Sequence, residues 1–357
     1  MTKKQTLRVI MFIVVVFFVL FVINKILVQP AVVDTNARYH AFYKEEPENT
    51  WDGVLLGSSV VDRAWAAPLA WHEQGIALYS MSIDSLPLPF VTSVMKEVRK
   101  KQDTNFFIID LRGLRSSKLE LQEFKIRRLT DNMEFSKNRN DTLKKAFEYV
   151  EKYNVDKSFL DDKLSFYIPF IKYHSRWNQL TKEDFLAPET KMKGVYMADA
   201  FKIRATKKPR ITRKVGELTD LQTDILTEIL EYGKKNDLQL LFTVLPAPLA
   251  VSAQHQMNRA FEIIDSYGYN VLNFNNEEIY KEMDLDFSTD FYNTLHLNSK
   301  GARKVTSYLS KYIVDTYNIK DKRGEESYKS WDEAWNVYDN YYFQGWEEVK
   351  NTNPEGK

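Results

Sequence analysis

The longest uninterrupted apolar stretch lies near the start of the chain. Residues 9–23 contain no polar side chain, and continuing through Asn24 and Lys25 to Val28 the stretch reaches 20 residues. A helix of that length is about 30 Å long, the thickness of a bilayer's hydrocarbon core. Lys3, Lys4 and Arg8 precede it, which favours a cytoplasmic N-terminus, and Lys25 can extend its amine to the headgroups. A cleaved signal peptide is the alternative, but the run is long for one and no small-x-small cleavage site follows Val28. The pattern therefore predicts a cytoplasmic segment 1–8, a single-pass anchor 9–28 and a polar stalk 29–50, with the remainder outside the plasma membrane.

Beyond the stalk, short apolar runs alternate with helical periodicity. Val54, Leu55 and Leu56 stand between Gly53 and Gly57, and 76–81 and 106–111 read as further strands around a helical stretch 90–101. From Asp220 the pattern resumes: Leu221, Ile225, Leu226, Ile229 and Leu230 share a helical face. A strand at 239–245 follows, stopped by Pro246 and Pro248, then a helix 255–267, a strand 271–274 and a helix 299–316. Such alternation predicts an α/β domain over 51–318, with a mostly parallel sheet and helices on both faces. Between Arg112 and about Val215 the alternation lapses into a charged, aromatic, helical segment, so 113–215 reads as an insertion. The insertion ends in a basic run, 202–214, which is either a solvated strip or a face for anionic headgroups or a polyanionic glycan. The tail 319–357 carries Trp331, Trp335, Tyr338, Tyr341, Tyr342, Phe343 and Trp346 at near-helical intervals. These aromatics either pack back on the domain or form a platform for sugars.

Composition narrows the chemistry. Among 357 residues, 50 basic against 49 acidic side chains give a net charge of +1, so no global field argues for nucleic acid. The chain has no cysteine, which excludes disulfides, thiolate metal sites and a cysteine nucleophile. Any nucleophile is then an oxygen or an amine.

Of the five histidines (His40, His72, His174, His255, His296), His296 has the best setting, a polar loop 290–298 just before the last helix. At the other end of the domain the first strand runs into Gly57-Ser58-Ser59. A serine at a strand exit has helix-start N–H groups near it that suit an oxyanion. Serine needs a base to take its proton, and the base needs an orienting partner. In a doubly wound sheet a first-strand serine and a last-loop histidine meet at one crevice. His174, Arg176 and Trp177 form a polar-aromatic cluster that either faces this crevice or fastens the insertion. No histidines are paired at metal-ligand spacing, and neither a metal nor a cofactor is expected.

With these blocks in place, the sequence resembles the SGNH/GDSL hydrolase superfamily. It is most similar to the membrane-anchored extracytoplasmic branch that includes the D-alanyl transfer protein of teichoic-acid modification and the SGNH proteins of exopolysaccharide clusters. The resemblance covers 54–61 and 285–310 and implies a flavodoxin-like SGNH sheet. It makes Ser59 the nucleophile, with Ser58 in place of the family's aspartate and as fallback nucleophile. The family's Asp-x-x-His block falls on Asn293 to His296, so asparagine stands where aspartate is usual; either Asn293 holds the imidazole by a hydrogen bond or Asp290 serves as the acidic partner. The family's Gly-x-Asn-Asp block is missing: the third strand ends Asp110-Leu111-Arg112-Gly113, leaving Arg112 or Ser82 as substitute oxyanion donors. Otherwise Asp110 and Arg112 form an ion pair or cap. The resemblance implies a serine esterase or O-acyltransferase acting on a cell-surface polysaccharide or teichoic-type polymer, with a membrane-bound O-acyltransferase as possible partner. The alternative is a non-catalytic glycan-binding or assembly factor with a decayed site.

Overall fold

The computed structural model describes residues 1–28, 33–115, 121–153, 162–186, 190–197 and 200–352. Parts of the expected stalk, insertion and tail (29–32, 116–120, 154–161, 187–189, 198–199, 353–357) lie outside them.

Five strands, β1 (Gly53–Leu56), β2 (Leu78–Ser80), β3 (Phe106–Asp110), β4 (Gln239–Val244) and β5 (Asn270–Asn273), form one all-parallel sheet in the order β2-β1-β3-β4-β5. Val54, Leu55, Leu56 and every residue of β3 are buried. Because successive side chains point to opposite faces, this burial means that both faces of the sheet are covered, the normal setting for parallel strands. β1 is the first strand in sequence and lies between β2 and β3, so the connections leave it in opposite directions and open a crevice at its carboxyl end.

The chain divides into two compact units, 1–36 with 121–188, and 37–120 with 189–357. In the first, Lys3–Leu27 is, among the described residues, the one helix long and apolar enough to cross a membrane. Helices Glu123–Thr130, Lys137–Lys152 and Lys163–Tyr167 accompany it, with Ile126, Leu129, Leu143, Ala146 and Phe166 buried.

The second unit holds the sheet, and it corrects two expectations. The segment expected as a stalk contains a helix, Val33–Lys44, in which Ala37, Arg38, Tyr39, Ala41 and Phe42 are buried. Arg38 donates to the carbonyls of Gly194 (2.6 Å) and Ser82 (3.1 Å) and pairs with Asp62, so the segment is part of the fold. The expected insertion 113–215 is also too long. Its last part lies along the 287–299 loop, with the N–H groups of Arg204, Thr206 and Ser299 bonded to the carbonyls of Phe291, Phe287 and Ala200, each at 2.8 Å. Tail aromatics pack back on the domain through helix Lys329–Thr352. Trp331 and Tyr338 are buried, Trp335 stacks on His72 (4.0 Å between centroids) and the Trp346 indole donates to Ser299 Oγ (2.9 Å). Within the basic run, Lys208 pairs with Glu277 and most other side chains are exposed.

Candidate active site

Ser59 opens the Ser59–Ala64 helix directly after β1. The turn needs Gly57, because a Cβ there would lie 2.5 Å from Val61 Cγ2 and 3.3 Å from Asp110 Cβ. Asp62, on the next turn, is held by buried Arg38, and Ala66 N–H donates to Thr306 Oγ1 (2.9 Å), which fixes the helix end. The amides of Ser59 and Val60, at the helix start, are among those that an α-helix leaves without an internal partner.

His296 is presented by a tight loop. Phe291 and Leu297 form an antiparallel bridge, and Tyr292 N–H donates to the His296 carbonyl (3.1 Å). Asn298 fastens the loop to the helix that follows it, Ser299–Tyr317. Its Oδ1 accepts from the amides of Lys300 (3.0 Å) and Gly301 (3.2 Å), while its Nδ2 donates to the Thr289 carbonyl (2.7 Å). Gly301 is required there, since a Cβ would stand 2.4 Å from the Asp290 carbonyl oxygen.

These two elements bring Ser59 Oγ to 2.9 Å from His296 Nε2, and His296 Nδ1 to 3.1 Å from Asn293 Oδ1. The proton positions follow from the surroundings. Asn293 Oδ1 also faces the amides of Leu295 (2.8 Å) and His296 (2.9 Å), and only an oxygen can accept from both. The ring nitrogen facing that oxygen must be the donor, so Nδ1 carries the proton and Nε2 presents its lone pair to the Ser59 hydroxyl. This is the tautomer that general-base chemistry on serine requires.

Burial, and after it the positive charges of Arg112, Arg63 and Arg115, lower the His296 pKa to about 4. No carboxylate offsets them. Asp290 is buried; its Oδ2 accepts from Lys304 Nζ (2.9 Å) and the Asp286 amide (2.8 Å) and its Oδ1 from the Thr289 hydroxyl (3.3 Å), which removes it as the partner of His296. The ring-orienting role falls to Asn293 instead. Ser58 makes no side-chain cap, and the ring nitrogen bonds to its neighbour. Ser82 spends its hydroxyl on Ser80 Oγ (3.1 Å) and its carbonyl on Arg38, away from Ser59. His174 and Arg176 belong to the helical unit. There His174 Nδ1 lies 2.8 Å from the Ile171 carbonyl, and Arg176 donates to the Leu27 carbonyl (2.7 Å) and to Asp184 (2.9 Å), which ties down the end of the apolar helix.

Arg112 is buried against the loop and donates Nη1 to the Leu295 carbonyl (3.3 Å). Asp110 does not pair with its guanidinium; the carboxylate accepts the backbone amides of Arg112 (2.9 Å) and Leu245 (3.1 Å). Sequence reasoning missed Arg63, Arg115 and Tyr292. Arg63 donates to the Tyr196 carbonyl (2.8 Å) and lies over the Tyr196 and Tyr292 rings, and Tyr292 stacks on His296 (5.6 Å between centroids). The available signal for Arg63 was its spacing, one helical turn after Ser59. Among the described residues, no three His, Asp or Glu side chains cluster so as to hold a metal ion. No family model, curated protein or solved structure matches the chain.

Proposed function

We propose that the chain is a membrane-anchored, extracytoplasmic serine esterase or O-acyltransferase of SGNH type, acting on a cell-surface polysaccharide or teichoic-type polymer. The observation that carries the reading is the 2.9 Å contact between Ser59 Oγ and the unprotonated Nε2 of His296. The strand order, β2-β1-β3-β4-β5, is that of flavodoxin-like sheets and supports the SGNH assignment, with the site at the switch-point crevice. In this reading Ser59 attacks an acyl carbonyl while His296 takes its proton, and the carbonyl oxygen is received by amides at the start of the Ser59–Ala64 helix. The imidazolium then returns the proton to the departing alcohol. Water or a sugar hydroxyl, deprotonated by the same histidine, resolves the acyl-serine. The apolar Lys3–Leu27 helix supports the anchor, with Lys3, Lys4 and Arg8 on the cytoplasmic side.

A second reading, a non-catalytic glycan-binding or assembly factor, draws on Asn293 in place of an acid, which leaves a developing imidazolium unstabilised. Covalent labelling of the full chain by a fluorophosphonate separates the two. The acyl-serine reading expects labelling that is lost in Ser59→Ala, reduced by about 10²–10⁴-fold in His296→Ala and kept in Ser58→Ala. A folded wild-type protein that stays unlabelled favours the second.

A further inference from the structure

Against the loop that carries His296 lies a cavity of about 420 Å³ whose wall includes Arg112, Arg115, Ala250, Ser252, Ala253 and Leu295. Among its described lining residues both charged ones are arginines, and Leu295 is the immediate neighbour of His296. The Arg112 guanidinium is buried, and while Nη1 bonds to the Leu295 carbonyl, Nε and Nη2 have no partner. A guanidinium carries five N–H donors, and leaving several of them buried and unbonded is costly unless something else accepts them. Another part of the wall is the start of the 16-residue helix Val251–Ser266, whose N-cap, Ala250, has no side-chain acceptor. Alanine is among the poorest N-caps, and the amides it leaves uncapped, together with the helix dipole, suit a negative group.

We propose that this cavity is an anion subsite, in which Arg112, Arg115 and the first amides of the Val251–Ser266 helix hold a carboxylate or phosphate of the substrate. The inference deepens the acyl-serine reading and rests on it for the word substrate: the ester handled by Ser59 belongs to an anionic molecule. A planar guanidinium recognises both anions through paired N–H groups, so the chemistry they share is what the cavity reads.

The test is built on the full chain in detergent, with inorganic phosphate and acetate as probes and sodium chloride at matched ionic strength as control. Binding is read first in Ser59→Ala, where no chemistry intervenes. Phosphate, acetate or both should raise its melting temperature by a few degrees above the chloride control, and the anion that does so identifies the group. In otherwise wild-type protein the same anion should slow fluorophosphonate labelling several-fold. Arg112→Gln and Arg115→Gln should each abolish both effects. Ala250→Asp keeps the test decisive if a buried-arginine variant fails to fold: it adds a helix cap, so it should fold at least as well, yet it occupies the amides and repels the anion. Labelling that proceeds normally while neither anion raises the melting temperature overturns the subsite and leaves the acyl-serine reading standing. Anion-dependent stabilisation that Ala250→Asp removes, in a protein never labelled, upholds the anion site and overturns the esterase. An anion effect that survives in all three variants overturns the subsite.

Discussion

Two arginines with the same exposure, 3%, one in the helical unit and one in the α/β unit, differ in how their buried charge is met. In the helical unit, Arg127 bonds through Nε to Glu123 (2.7 Å), through Nη1 to the Ser165 carbonyl (3.3 Å) and through Nη2 to Ser165 Oγ (2.6 Å). Asp131 lies 3.6 Å from both Arg127 and Arg139 and accepts the Tyr173 hydroxyl (2.8 Å). In the α/β unit, Arg112 has one bonded nitrogen and two idle ones, and its closest acid, Asp110, is committed to backbone amides. Desolvating a charge is expensive in either place. Where it is compensated within the fold, as at Arg127, the group is part of the architecture. Where it is not, as at Arg112, the fold carries a cost that a ligand can offset.

The sharpest way to break this comparison is to remove the acid at the centre of the helical network. Asp131→Ala leaves the buried Arg139 without its acid and Arg127 with Glu123 alone, and should cost about 3 kcal/mol of stability, measured by urea unfolding. Fluorophosphonate labelling per folded molecule should not change. A parallel loss of labelling would show that the network serves the Ser59 site as well.

A smaller effect is expected from giving the α/β site the acid it lacks. Asn293→Asp sets a carboxylate against Nδ1 of His296, which should raise the imidazole pKa above its value of about 4. Labelling near neutral pH should accelerate about tenfold, the equivalent of ~1.4 kcal/mol, and its acid limb should move to higher pH. An unchanged rate and limb would mean that proton transfer to His296 does not govern the reaction.

The mildest test needs no substitution. Only neutral His296 can accept the Ser59 proton, so wild-type labelling should hold from neutral pH downward and decline as the pH nears about 4. A decline centred near the ordinary histidine value would refute the buried, arginine-flanked setting. Stability should follow with a definite sign. The folded pKa lies below the unfolded one, so between the ordinary value and about 4 the unfolded chain binds the extra proton. His296 therefore lowers stability as the pH falls through that window, which a series of melting temperatures will register.

The strands and the main helices were legible because each is a local pattern. Three buried apolar residues between Gly53 and Gly57 specify β1, and the face Leu221, Ile225, Leu226, Ile229 specifies the Asp220–Lys235 helix. Ser59 and His296 were legible as candidates because their segments end a strand and precede a helix. The choice between Asp290 and Asn293 was not: Asp290 is answered by Lys304, fourteen residues away on the Ser299–Tyr317 helix, and nothing in the loop's own sequence reveals that bond. The Val33–Lys44 helix was missed for the same reason, since its buried Arg38 finds its partners at Asp62, Ser82 and Gly194.

By itself the sequence determined the apolar helix, the alternation that builds a parallel sheet, and the residue types available for chemistry, because periodicity and composition act over a few turns of chain. Tertiary structure alone decided which serine meets the histidine, which side chain orients it, and that Arg112 is left with two idle donors beside a cavity. Those outcomes depend on contacts between residues up to 237 positions apart, where hydrogen-bond geometry and burial are set by packing.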